Sequence, residues 1–73
     1  MSDTGERRAI NVVAPARYVT IELAATITGF SAPAIRARIA RGIWLEDRQY
    51  VRREGRVLID LRGYEKWAET GEA

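Results

Sequence analysis

A glycine and a serine, two residues apart, constrain the fold of this chain more than any other feature of its sequence. Gly29 can end a helix, because glycine readily adopts left-handed backbone angles. Ser31 can begin the next helix, since its side-chain oxygen can accept a hydrogen bond from a free N–H group of the first turn. Apolar residues recur every three to four positions on both sides. We therefore predict two short helices, joined by a three-residue turn, between Thr20 and Trp44.

The first predicted helix runs from Ile21 to Thr28, after a short extended entry over residues 17–20. Thr20 is expected to cap it by accepting hydrogen bonds from the free backbone N–H groups of the first turn. Leu23, Ala24 and Ile27 have the three-to-four spacing of a single helix face. We expect that face to be buried.

The second predicted helix begins after Ser31 and ends before Gly42. Pro33 is tolerated in its first turn, where the missing N–H group is not needed. Because the residue before a proline avoids helical backbone angles, Ala32 could replace the serine as the cap. Phe30 is expected to fill the corner between the two helices.

The faces of the second helix differ sharply in chemistry. At 100° per residue, Ile35 and Ile39 point to one side, and arginines fringe the opposite side. A helix of this kind, following a capped turn, is typical of a DNA-reading helix-turn-helix. An ordinary solvated charged face is the alternative. The candidate DNA-binding residues of this helix are Ser31, Ala34, Arg36, Ala37, Arg38 and Arg41.

After Gly42 the pattern changes from helix to strand. Ile43, Trp44 and Leu45 are bulky and apolar, and we assign them to the core. From residue 48 to residue 60 polar and apolar residues alternate around Glu54-Gly55, which predicts a β-hairpin. Cations on a thin projection suit a DNA-contacting wing, although a purely solubilising hairpin is the alternative. The candidate DNA-binding residues of the wing are Arg52, Arg53, Gly55 and Arg56.

A last helix is predicted over residues 61–70, with Asp60 as its cap and Gly71 as its end. Gly63 should weaken this helix by roughly 1 kcal/mol relative to alanine, so tertiary packing must hold it. Two aromatic residues of this helix could form an interaction surface instead of core. The expected buried face comprises Leu61, Tyr64, Trp67 and Ala68.

Charge is concentrated in the middle of the chain. Between Arg36 and Arg56 there are seven arginines and three acidic residues, a local charge of +4, whereas the other residues sum to −2. Such a distribution is typical of a surface that binds a polyanion. Eleven of the 12 basic residues are arginine, which suits bidentate contacts to phosphate or guanine. A GC-rich genome would also explain that ratio, but not the clustering.

Composition excludes several functions. The 73 residues include no cysteine and no histidine, so the chain lacks the commonest zinc ligands and general bases. We expect no catalytic activity, no cofactor and no metal. No apolar run is long enough for a membrane span or a signal peptide, so we expect a cytoplasmic, nucleoid-associated protein without a membrane partner.

We divide the chain into a flexible N-terminal arm (1–16), one domain (17–71) and a short tail (72–73). The arm is polar and lacks periodicity over its first eight residues. Residues 10–15 resemble a strand, but Pro15 limits them to a sheet edge or an arm. Arg7 and Arg8 could reach a minor groove, or the terminus could have no role.

A family resemblance covers most of the chain. The motifs that carry it are Gly29-Phe-Ser31, Ala34-Ile-Arg36, Arg41-Gly-Ile-Trp44-Leu45, Gly55 before Val57-Leu-Ile59, and Gly63-Tyr-Glu-Lys-Trp67. Together with the element order, they resemble the excisionases of phages and integrative elements, also called recombination directionality factors. After Leu45 such proteins carry a glycine and a basic residue, where this chain has Glu46 and Asp47.

The resemblance implies an α+β fold, the small winged helix-turn-helix, consisting of a helix-turn-helix, a β-hairpin wing and a C-terminal helix. It implies a protein without its own catalysis that binds double-stranded DNA at repeats beside an attachment site, bends it, and directs an integrase towards excision. Cooperative self-association on DNA is also expected.

Two other functions are compatible with the same fold. A small MerR-like or phage transcriptional regulator would differ only in its target, and typical MerR regulators add a dimerisation helix and a ligand domain, which we do not expect here. A protein-interaction module would instead expose Trp44 and Tyr64.

Overall fold

The chain folds as helices packed on one small antiparallel sheet, in a computed structural model that describes residues 16–73. The sheet has three strands, and three helices accompany it in this part of the chain, which confirms the predicted α+β class. In chain order the elements are β1 (Tyr18–Thr20), α1 (Ile21–Thr28), α2 (Ala32–Ala40), β2 (Tyr50–Arg53), β3 (Arg56–Asp60) and α3 (Leu61–Thr70). The predictions for residues 1–15, including the edge strand and Arg7 and Arg8, lie outside the described residues.

The predicted ends of α1 are confirmed. The hydroxyl of Thr20 accepts a hydrogen bond from the backbone N–H of Leu23 at 3.1 Å. At the other end, Gly29 has a φ of 87°, and its N–H donates to the Ala25 carbonyl at 3.0 Å. Both bonds satisfy backbone groups that a helix end would otherwise leave without partners.

Helix α2 begins as first predicted, with Ser31 as its cap. The serine hydroxyl accepts a hydrogen bond from the N–H of Ala34 at 3.2 Å, so Ala32 lies inside the helix. Pro33 occupies the first turn, where its missing N–H removes no hydrogen bond. The helix ends at Ala40.

The sheet has the strand order β1-β3-β2, with both pairs antiparallel. The hairpin of β2 and β3 turns at Glu54 and Gly55, whose φ angles are 53° and 75°. Two positive φ angles are typical of the type I′ turn, which matches the right-handed twist of the flanking strands. The entry strand β1 pairs with β3 through Val19 and Ile59, among others. The short extended entry is therefore an edge strand of the sheet.

The core lies between the sheet and the helices. Trp44 is fully buried, as predicted, but Ile43 and Leu45 remain 43% and 44% exposed. The N–H groups of Ile43 and Trp44 both donate to the Arg38 carbonyl, which turns the chain tightly, so only the central residue of the three points inward. The buried apolar residues are Val19, Ile21, Ala24, Ile35, Trp44, Tyr50 and Ile59.

The predicted inner face of α1 is wrong in part. Ala24 is buried, but Leu23 and Ile27 are 43% and 41% exposed. The helix instead packs against α2 and β3 through the side that carries Ile21 and Ala24. Both sets of residues have the spacing of a helix face, and contacts distant in sequence select between them.

Four aromatic side chains from the α1–α2 corner, the following loop and α3 form one group, which we call the aromatic cluster. Their ring centroids lie 5.4–6.4 Å apart, mostly in edge-to-face arrangements. Tyr64 and Trp67 therefore pack against the core, as predicted, whereas Ala68 is exposed. The aromatic cluster comprises Phe30, Trp44, Tyr64 and Trp67.

Helix α3 approaches the loop before β2 very closely at Gly63. A Cβ atom at this position would lie 1.9 Å from the carbonyl oxygen of Arg48 and 2.8 Å from its carbonyl carbon. Glycine is therefore required here for packing. The sequence pattern showed only its cost to helix propensity.

The two ends of α3 are held as predicted. The carboxylate of Asp60 accepts hydrogen bonds from the N–H groups of Arg62 and Gly63 at 3.0 and 3.3 Å, and Gly71 ends the helix with a φ of 76°. The predicted tail at residues 72–73 contacts the domain, because the guanidinium of Arg48 donates to the Ala73 carbonyl at 3.0 Å.

Candidate nucleic-acid interface

One arginine from α2 and one from the hairpin meet at the same surface hollow. The hollow has a volume of about 270 Å³ and lies where α1, α2 and β3 come together. Glu22 of α1 lines the hollow together with Arg36 and Arg56, and we call these three residues the arginine corner. The other residues lining the hollow are Thr20, Ile21 and Val57.

The best-defined contact of the arginine corner is an ion pair. Nη2 of Arg36 donates to Oε2 of Glu22 at 2.9 Å. The two side chains are 55% and 70% exposed, so solvent screens the pair strongly. A ligand can therefore reach the guanidinium without unfolding any part of the domain.

The charge of the hairpin also acts on Glu22. A hydrogen bond from its own backbone N–H, followed by the Arg36 hydrogen bond and the charges of Arg36 and Arg56, lowers the pKa of Glu22. Partial desolvation of the carboxylate raises the pKa, but by less than these contacts together lower it. Two cations from different elements thus act on one carboxylate.

The arginines of the hairpin divide between its two faces. Arg53 lies opposite Arg56 in the strand register, so their side chains leave the same face of the sheet. Arg52 leaves the other face, where its guanidinium lies 5.7 Å from the ring centroid of Tyr50 and 3.8 Å from the carboxylate of Glu46. Only the first two share a face.

Arg38 lies in a different environment from Arg36. Its guanidinium is 4.1 Å from the ring centroid of Phe30 and 6.0 Å from that of Trp67. Nη1 also donates to the Ala34 carbonyl at 3.1 Å, and the residue is half-buried. The structure therefore places Arg38 against the aromatic cluster, away from the arginine corner. Aromatic residues at positions 30 and 67 were the only sequence signal of this contact.

The remaining candidates on α2 are more accessible or serve the backbone. Arg41 is exposed at the end of the helix. Ala34 and Ala37 are half-buried, and Ser31 uses its hydroxyl as the helix cap. Gly55 is exposed in the hairpin turn. Each of these residues lies on the element that was predicted for it, and on α2 the short side chains are those of Ala34 and Ala37.

Two features of the charge distribution were not predicted. No local signal in the sequence indicates the contact of Glu22 with Arg36, 14 positions away. Arg17 forms a two-point ion pair with Asp60, at 2.9 and 3.0 Å, that joins the start of β1 to the start of α3. The first pair lies at the candidate interface, and the second holds the fold together.

Comparison with known proteins gives no match to a family model, a curated protein or a solved structure. Among the described residues, no helix is long and apolar enough to cross a membrane.

Proposed function

We propose that this protein is a winged helix-turn-helix that binds and bends specific double-stranded DNA, and that it directs an integrase towards excision of a phage or mobile element. The observation that carries the DNA-binding proposal is the meeting of Arg36 and Arg56 at one exposed hollow. Cations supplied by a helix and by a hairpin on the same side of a domain suit a ligand with two neighbouring grooves.

In this proposal α2 enters the major groove. The short side chains of Ala34 and Ala37 allow close approach of the helix, and Arg36 and Arg41 contact phosphates or base edges. Arginine suits this task because its planar group can donate two parallel hydrogen bonds to guanine. Ser31 caps the helix start and, being exposed, lies at the end of α2 that would face the groove.

The hairpin acts as the wing. Arg53 and Arg56 leave one face of it and bind phosphates or the adjacent minor groove, while the positive φ of Gly55 allows a tight tip. Engaging two grooves with one small domain favours bent DNA. The elastic cost of such a bend is on the order of 1–6 kcal/mol, and the added contacts offset it.

The role in excision rests on the resemblance of the motifs to excisionases, and the transcriptional role remains the alternative. The geometry favours neither, since both would use the same DNA-binding surface. A protein-interaction module is less well supported, because an interaction surface built on Trp44 and Tyr64 would need exposed rings. Trp44 is fully buried, and Tyr64 packs against it with ring centroids 6.0 Å apart.

DNA binding can be tested by fluorescence anisotropy with a labelled duplex at several salt concentrations. We expect log affinity to fall linearly with log salt, by about 0.9 for each phosphate neutralised. The double variant Arg36→Ala, Arg56→Ala should bind about tenfold more weakly and show a shallower slope. The single variant Arg36→Ala should weaken binding less, and Arg62→Ala is its matched control, because it removes one positive charge from an exposed position on α3.

Equal weakening by Arg62→Ala and by Arg36→Ala would show that only net charge matters and would contradict an interface at the arginine corner. Absence of any duplex binding at low salt would contradict DNA binding itself. For the excision role, a circular-permutation bending assay and an excision reaction with the cognate integrase are needed. Changed promoter activity without stimulated excision would support the regulator instead.

A further inference from the structure

We propose that Glu22 determines DNA specificity by positioning Arg36 for a base edge and repelling phosphates that are not part of a correct site. Towards the base edge Glu22 is a positioning residue, because there it acts through Arg36, whereas its charge acts on phosphates directly. The inference rests on the proposed DNA-binding function, and it concerns the difference between binding to one sequence and binding to any sequence.

The ion pair leaves most of the arginine available. The hydrogen bond from Arg36 to Glu22 uses a single N–H of Nη2, so the other N–H groups of the guanidinium remain open to a ligand. A guanine presents two acceptors in the major groove, O6 and N7, and an arginine contacts both with two parallel donors. Arg36 can therefore bind guanine without breaking its bond to Glu22.

The ion pair also orients the arginine before DNA arrives. Arginine has many rotamers, and their loss on binding weakens a contact. The hydrogen bond from Arg36 to Glu22, across the gap between α1 and α2, reduces that loss. Preorganisation of this kind helps a directional contact to a base more than a contact to phosphate, which tolerates many orientations.

The charge of Glu22 has a second effect. The pKa of Glu22 is lowered by a hydrogen bond from its own backbone N–H and by Arg36 and Arg56, so Glu22 stays ionised in neutral solution beside these two arginines. Its side chain is 70% exposed at the hollow. A phosphate placed at random against this surface meets the two arginines together with a carboxylate, which weakens the electrostatic attraction that dominates non-specific binding. A correct site avoids this penalty by presenting a guanine edge there.

Two substitutions separate geometry from charge. Glu22→Gln keeps an oxygen that can accept from Arg36 but removes the charge, whereas Glu22→Ala removes both. Glu65→Gln is the matched control, because it makes the same change of net charge at an exposed position on α3. Circular dichroism and thermal melting of each variant establish that it is folded before its binding is compared.

The target duplex is first obtained by selecting a random duplex library on the parent protein, and a scrambled duplex of equal composition serves as the non-specific ligand. We expect Glu22→Gln to bind the scrambled duplex about three- to tenfold more tightly than the parent and the selected duplex about equally. Glu22→Ala should also bind the selected duplex more weakly, because Arg36 is no longer oriented. The control should leave the ratio of the two affinities unchanged.

The inference is overturned if Glu22→Gln and Glu65→Gln have the same ratio of affinities as the parent, while Arg36→Ala still weakens binding. In that case DNA binding through the arginine corner stands, and only the role of Glu22 is lost. If the parent binds no duplex, the proposed function fails and this inference fails with it. A steeper salt dependence in Glu22→Gln alone would support the inference, since a purely structural role would not change it.

Discussion

Arg36 and Arg38 lie two residues apart on the same short helix, yet the structure gives them opposite environments. Arg36 reaches across to Glu22 and remains largely exposed beside the hairpin. Arg38 covers the ring of Phe30 and is half-buried against the aromatic cluster. Two arginines that a helical projection treats alike thus divide between an exposed ion pair and packing, because each flank of α2 faces a different neighbour.

The comparison extends to the two sides of the domain. The arginine corner consists of exposed, weakly coupled charges that can change partners, whereas the aromatic cluster consists of close ring contacts that hold α3 in place. We therefore expect substitutions at the arginine corner to change DNA affinity and leave stability nearly unaltered. Substitutions around the aromatic cluster and α3 should do the reverse.

The largest effect should follow Gly63→Ala. In an isolated helix this change is stabilising by about 1 kcal/mol, but here the added methyl group would overlap the backbone of Arg48. We expect the free energy of unfolding to fall by about 3 kcal/mol, because backbone must move to make room. Chemical denaturation followed by circular dichroism measures this change, with Glu65→Ala as an exposed control on the same helix.

A Gly63→Ala protein as stable as the parent would mean that α3 does not pack closely against the loop before β2. The close packing of α3 would then not be needed to hold the aromatic cluster. The expected difference in stability effects between the arginine corner and the aromatic cluster would be smaller.

Arg38→Ala should have an intermediate effect and tests the contrast most directly. Removing a half-buried cation from the faces of Phe30 and Trp67 should lower stability by about 1–1.5 kcal/mol. The original expectation from the helix pattern is that this variant binds DNA more weakly. Measuring both melting temperature and duplex affinity, beside Arg36→Ala, separates the two roles. If Arg38→Ala has unchanged stability and weaker duplex binding, Arg38 contacts DNA and its packing against Phe30 contributes little.

The smallest effect, about 1 kcal/mol at neutral pH, should follow Asp60→Asn, which keeps a helix cap but weakens the pair with Arg17. Burial alone would raise the pKa of Asp60, but hydrogen bonds from Arg17 and from the α3 N-terminus, with the Arg17 charge, lower it. A lowered folded-state pKa means that this stabilisation is present above the ordinary carboxyl value, about 4, and is lost as pH falls below it.

Urea denaturation at neutral pH and at successively lower pH measures this dependence. The parent should lose stability between pH 4 and the lowered pKa of Asp60, and Asp60→Asn should lose less of it. Glu22→Gln is the matched comparison at an exposed carboxylate–arginine pair. If both variants change the acid response equally, the part-buried Arg17–Asp60 pair and the exposed Arg36–Glu22 pair contribute equally to stability.

The elements themselves were predictable because their signals are local. The caps at Thr20, Ser31 and Asp60 and the hairpin turn at Glu54-Gly55 each act on backbone groups within about four residues. Side-chain oxygens and glycine conformations suffice to place such boundaries. Residues on the described elements therefore took their expected secondary structure, and the α+β class followed.

Neighbours far apart along the chain decided the rest. The buried side of α1, the separation of Arg38 from Arg36, and the contact of Glu22 with Arg36 all depend on which surface each helix flank meets. The role of Gly63 depends on a carbonyl group 15 residues earlier. Periodicity specifies the composition of a helix face, but only packing selects the face that is buried and the arginines that remain free to bind.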